Sequence, residues 1–164
     1  MQTRQFTLSR SLALSVMLTL MVVQVLVFAQ DASAQAKKLV GTWRTGLTVF
    51  DCQTGEPTGA TAQILETYLP GGSMLQSAST NVFRTPGYGI WKHTTERNFI
   101  ATLIFFRFNT DGTQAGRREA TLNIELGEDA NEFTATEVVE TFDVNGNLIE
   151  TTCPTEAGLR LTFD

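Results

Sequence analysis

Residues Ala120-Thr121-Leu122-Asn123-Ile124-Glu125-Leu126 alternate strictly between apolar and polar side chains. Side chains on an extended strand point to opposite faces in turn, so Ala120, Leu122, Ile124 and Leu126 enter a core while Thr121, Asn123 and Glu125 meet water. The same texture recurs outward from this stretch, in short runs rich in Thr, Val, Ile and Phe at 39–50, 60–69, 73–83, 88–95, 99–108, 133–142, 148–153 and 159–163. No helical period of useful length interrupts them between 37 and 164. The connections are short and carry residues tolerant of positive φ: Pro70-Gly71-Gly72, Asp111-Gly112 and Asn145-Gly146, the last expected as a type I′ hairpin turn. At three turns an aromatic is followed four residues later by glycine, Tyr68 to Gly72, Phe108 to Gly112 and Phe142 to Gly146. Short connections make successive strands antiparallel neighbours, and closing the meander removes its two open edges. The expected fold is all-β, an antiparallel up-and-down meander closing into a small barrel of about eight strands.

A closed antiparallel meander needs an even number of strands, whereas the runs number nine. The last two, 148–153 and 159–163, are best read as one long strand with a bulge or kink at 153–158. That reading also brings Cys153 away from the far end of the barrel, toward Cys52. One disulfide between these two cysteines is expected, closing a loop of about 100 residues.

The N-terminus explains why a disulfide is expected. Arg4 and Arg10 precede an apolar stretch at 11–29, and Ala32-Ser33-Ala34 gives the small-x-small pattern of a cleavage site. Residues 1–34 are therefore expected to be a signal peptide, and 35–164 a single β-barrel domain of a secreted or periplasmic protein, where disulfides persist. Removing 1–34 takes away two arginines and one aspartate, so the net charge moves from −5 to −6. With no basic run left, nucleic acid and anionic membranes are not expected as partners.

Gly41-Thr42-Trp43 opens the first run, and Arg160 stands in the last, within Gly158-Leu159-Arg160-Leu161. Together these residues resemble the calycin pattern, in which a Gly-x-Trp begins the first strand of a lipocalin-like barrel and a basic residue from the last strand packs over the indole. The chain also looks like secreted bacterial proteins with a lipocalin-like barrel, a resemblance that implies no activity. It implies that Trp43 and Arg160 are a structural latch.

No catalytic motif and no cofactor or metal motif stands out. His93 is the only histidine, and its place before Thr95-Glu96-Arg97 suits a solvated residue at the barrel rim. Asp143-Val144-Asn145-Gly146-Asn147 mimics the start of a calcium loop, but its glycine comes two positions early and Pro154 stands where the closing glutamate should be. Glu66, Glu137 and Glu140 lie in strand runs and could pair for acid/base chemistry. Glu137 and Glu140 differ in parity, so at least one faces water.

Eight strands leave room for one small ligand, so the expected function is that of a secreted lipocalin-like binding protein for a small apolar or aromatic molecule. Tyr68, Phe83, Trp91 and Phe105 are the expected ligand-binding residues. The alternatives are a structural or interaction module with a solid core, and a calycin-like isomerase or cyclase. In the run 99–108, Phe99, Leu103 and Phe105 point one way and Ile100, Ile104, Phe106 and Phe108 the other. Two apolar faces on one strand imply a cover for the outer one, and a homo-oligomer through 99–108 would supply it.

Overall fold

A computed structural model describes residues 38–79 and 83–163, and the export segment expected at 1–34 lies outside them. Eight strands follow one another: β1 (Gly41–Phe50), β2 (Pro57–Tyr68), β3 (Ser73–Ala78), β4 (Gly87–Thr95), β5 (Asn98–Phe108), β6 (Gln114–Leu126), β7 (Glu132–Phe142) and β8 (Leu148–Arg160). Each pairs antiparallel with the next, and β1 pairs with β8, which closes the barrel. The all-β antiparallel meander expected from the sequence is the fold found.

The strand surplus is resolved at β8. It runs unbroken through Pro154, with Val49 opposite Pro154 and Phe50 opposite Cys153. Cys153 therefore lies beside the end of β1, and Cys52 joins it in a disulfide with Cα atoms 5.1 Å apart. A second difference concerns β3, expected to reach 83 but ending at Ala78. The chain returns to the sheet in a single bridge between Arg84 and Arg107.

The aromatic-glycine device is one turn used three times. After Tyr68, Phe108 and Phe142, the N–H of Leu69, Asn109 and Asp143 donates to the carbonyl four residues on, and the N–H of Gly72, Gly112 and Gly146 donates back. Each of these glycines sits at positive φ, between +83° and +89°, which is cheap for glycine. Asn145 is not at positive φ, so the expected type I′ turn is replaced by a longer loop closed by its glycine. The Asp143 carboxylate is used within that loop, accepting from the N–H groups of Asn145 and Asn147 and from Asn147 Nδ2 at 2.8 to 2.9 Å.

Inward residues alternate along every strand as the pleat requires. The stretch that opened the reading behaves as expected: Ala120, Leu122, Ile124 and Leu126 are buried and Thr121, Asn123 and Glu125 exposed. One end of the barrel is packed solid by Trp43, Tyr68, Trp91, Phe99, Leu126 and Phe133. Trp43 and Phe133 meet edge to face at 5.1 Å, and Tyr68 and Trp91 at 5.9 Å, separations favoured by ring quadrupoles. Gly158 makes room for this layer, because a Cβ there would lie 2.4 Å from the Phe133 ring.

Trp43 and Arg160 form the latch at that end. The Arg160 guanidinium stands 4.1 Å from the centre of the indole. It donates to the carbonyls of Ala130 and Val40, each at 2.8 Å, and to that of Lys38. The indole N–H donates to the Leu39 carbonyl at 3.0 Å. Cation-π attraction is thus reinforced by hydrogen bonds that tie the segment before β1 across the barrel end.

Candidate ligand-binding site

The opposite end is open. A cavity of about 330 Å³ enters there, walled by Leu47, Val49, Ala62, Ile64, Phe105 and Val139, with Gln76, Arg84, Arg118, Glu137 and Glu150 also on its lining. All are inward positions of their strands except Arg84, which lies in the segment between β3 and β4. The interior is therefore not filled, and the solid-core module expected as an alternative does not describe it. A larger depression of about 660 Å³ lies on the outer face across β1 and β4 to β8, with Thr48, Thr94, Thr134, Thr136 and Thr155 among its lining residues and no arginine or lysine on it.

Beneath the cavity lies a hydrogen-bonded chain of buried polar groups. Tyr68 Oη donates to Glu66 Oε2 at 2.9 Å, Gln76 Nε2 donates to Glu66 Oε1 at 3.0 Å, and Arg84 Nη2 donates to Gln76 Oε1 at 2.9 Å. The Gln76 amide is fixed by this arrangement, its N–H toward the carboxylate and its oxygen toward the guanidinium. Glu66 is fully buried; burial pushes its pKa up, opposed by the bonds from Gln76 and Tyr68. Burial and the Glu66 charge push the Tyr68 hydroxyl well above its usual range.

Glu137 and Glu156, each 4% exposed, join Glu66 inside the barrel. With both ionised, Glu137 Oε1 and both oxygens of Glu156 have no donor among the described residues. A proton on one Glu156 oxygen relieves part of this by bridging to Glu137. Burial, then the charges of Glu66 and Glu137, hold Glu156 well above the ordinary carboxyl range, and the bridge adds to the effect. Burial and the Glu66 charge push Glu137 up to about 7, against the Glu156 proton and the Arg84 charge that favour its ionised form. Three carboxyls this close in a low-dielectric interior cannot all be charged, so the cluster holds protons at neutral pH and titrates as a unit.

Two guanidiniums face the same cavity. Arg84 lies 3.7 Å from the centre of the Phe105 ring and uses two of its N–H groups, on Gln76 Oε1 and on the Thr85 carbonyl. Burial and the like charge of Arg118 lower its pKa to about 10. Arg118 donates to Glu150 Oε2 at 3.1 Å and to Thr141 Oγ1 at 2.9 Å. Its charge is thus already paired.

Of the four residues expected to bind ligand, only Phe105 lines the cavity. Tyr68 and Trp91 are brought together, but within the solid end, where the Trp91 indole donates to the carbonyls of Leu69 and Ser73. Phe83 is 47% exposed, outside the barrel. His93 is half-buried near the solid end with Nε2 2.9 Å from the Glu96 carbonyl, remote from the cavity. Glu140 faces outward as parity required of one of the pair, whereas Glu66 and Glu137 both face in.

No family model and no curated protein sequence matches this chain significantly. The closed eight-stranded antiparallel barrel agrees with a lipocalin-like fold. Gln76, Arg84, Arg118 and Glu156 were not singled out by sequence reasoning. Arg84 and Gln76 carry no pattern that distinguishes them from surface residues, and the inward parity of Glu156 was hidden by taking 153–158 for a kink.

Proposed function

We propose that the chain is an exported lipocalin-like protein of the calycin superfamily that binds a small, mainly apolar molecule in the open end of its barrel. The observation that carries this reading is the cavity of about 330 Å³, at the lower bound of small-molecule sites, with aliphatic walls and a few convergent polar groups. Phe105 supplies a flat contact. The disulfide and the hydrophobic start of the chain support a secreted or periplasmic setting. The test is fluorescence titration with N-phenylnaphthylamine: binding is expected, and Ala62→Phe, which fills the cavity, should abolish it. Binding that survives Ala62→Phe would place the probe elsewhere and contradict the reading.

A second copy of the chain is the partner we propose for the outer face of β3 to β5. Leu75, Tyr88 and Ile104 lie directly opposite one another across these strands, and Ile90 and Phe106 extend the strip, with exposures from 39% for Leu75 to 67% for Ile90. A contiguous apolar strip of this kind marks an interaction surface. Sedimentation should show a dimer that Ile104→Lys converts to monomer; a monomer at all concentrations would refute it.

A further inference from the structure

The walls of the cavity ask for an apolar body, but its floor asks for something more. Glu137 is almost wholly buried on the cavity lining, and the proton on Glu156 is the one donor available to its Oε1 among the described residues. A carboxylate has about four lone-pair sites; one proton from Glu156 leaves most of that capacity unused on a residue that lines the cavity. A buried acceptor without a partner is costly, so a group that enters and donates to it is favoured. Arg84 supplies the complement, with N–H groups beyond the two already used and no ion-pair partner among the described residues. Its orientation is held by the Phe105 ring and by Gln76, which is anchored in turn on Glu66.

The surrounding charges decide what kind of group this is. Glu66, Glu137 and Glu156 act on one side and Arg84 and Arg118 on the other, with Arg107 close enough to bear on Arg118 and Glu150 neutralising it. A cationic head would meet two guanidiniums, and an anionic head a Glu137 that is itself partly charged near pH 7. A neutral head meets neither penalty.

We propose that the ligand is a neutral amphiphile, an apolar body whose head group both donates and accepts hydrogen bonds, as a primary carboxamide does, with the donor on Glu137 and the acceptor on Arg84; this rests on the open cavity being the ligand site. The amide N–H completes the Glu137 carboxylate and its carbonyl takes the spare N–H groups of Arg84. Glu156 keeps its proton and serves as a fixed donor behind Glu137, a positioning role.

The test uses the exported protein with its disulfide intact and four probes that share one ring system: naphthamide, naphthoate, naphthylmethylamine and methylnaphthalene, each titrated by calorimetry. Naphthamide is expected to bind about tenfold more tightly than any of the others, the factor that a hydrogen bond to a charged group supports. Glu137→Leu, which should fold well because it removes a buried charge, is expected to erase that preference and leave methylnaphthalene unchanged. Glu137→Gln keeps an acceptor, so it should keep most of the preference while losing the gain in naphthamide affinity that the native protein shows as pH rises through about 7. Equal binding of naphthamide and methylnaphthalene, tightest binding by either charged probe, or a preference that survives Glu137→Leu would each overturn the inference. Failure of all four to bind would instead overturn the cavity as a ligand site.

Discussion

The two ends of this barrel are built on opposite plans. At one, Trp43, Tyr68, Trp91, Phe99 and Phe133 fill the interior and Arg160 ties the chain across it. At the other, small residues such as Ala62, Ala78 and Ala120 line the interior and leave a cavity, and the end of β1 is tied to β8 by Cys52–Cys153. Packing secures the closed end and a covalent bond secures the open one. A wall that must leave space cannot also supply close packing, and the disulfide stands at that open end. Between the ends lie the three buried glutamates, which have the solid layer below them and the cavity above.

The largest expected effect breaks the open end. Replacing both cysteines with serine releases a loop spanned by a sequence separation of 101 residues, and the chain-entropy model gives a loss of about 4 to 5 kcal/mol, measurable by urea denaturation. Trp43→Ala attacks the closed end and should cost about 3 to 5 kcal/mol, the range for deleting a buried large aromatic. Val49→Ala, on the cavity wall, should cost under about 1 kcal/mol by comparison, because the space it faces is already open. Equal losses for these two substitutions would remove the contrast between the ends.

The glutamates give an effect of intermediate size with a definite sign. The folded protein raises Glu137 from 4.5 to about 7, so it binds that proton more tightly than the unfolded chain does. The stability this contributes is complete below pH 4.5 and is lost as pH rises through about 7, by roughly 3 kcal/mol. Thermal unfolding should therefore occur at lower temperature at pH 8 than at pH 5, and Glu137→Gln should flatten that dependence. A stability that rises over this interval would mean that the carboxyls are ionised and solvated. A smaller effect than that of Trp43→Ala belongs to the latch: Arg160→Met keeps the stem but loses the cation over Trp43, for about 1 to 2 kcal/mol in the same denaturation assay.

How much of this was legible in the sequence differs between the two ends. Trp43 and Arg160 were readable as a latch through the resemblance of Gly41-Thr42-Trp43 and the last-strand arginine to the calycin pattern, and closure of the barrel makes their strands neighbours. The need for an even number of strands, together with the requirement that Cys52 and Cys153 meet, pointed to β8 as one strand. The cavity floor was not legible for a different reason. Period-2 alternation assigns an inner or outer face within one strand, but it does not say at which height Glu66 of β2, Glu137 of β7 and Glu156 of β8 stand relative to each other. That height depends on register across strands far apart in sequence. Tyr68 and Trp91 were misleading for the same reason: their inward parity was correct, and only the register places them in the solid layer and not on the cavity wall.

The central claim is that the open end, and no other surface, receives a small molecule. Methyl and amide NMR of the protein titrated with N-phenylnaphthylamine tests it most directly. The account predicts shifts at Leu47, Val49, Ala62, Phe105 and Val139, with Trp43 and Phe133 undisturbed. Shifts confined to the outer strip around Tyr88 and Ile104, or none at saturating probe, would contradict it.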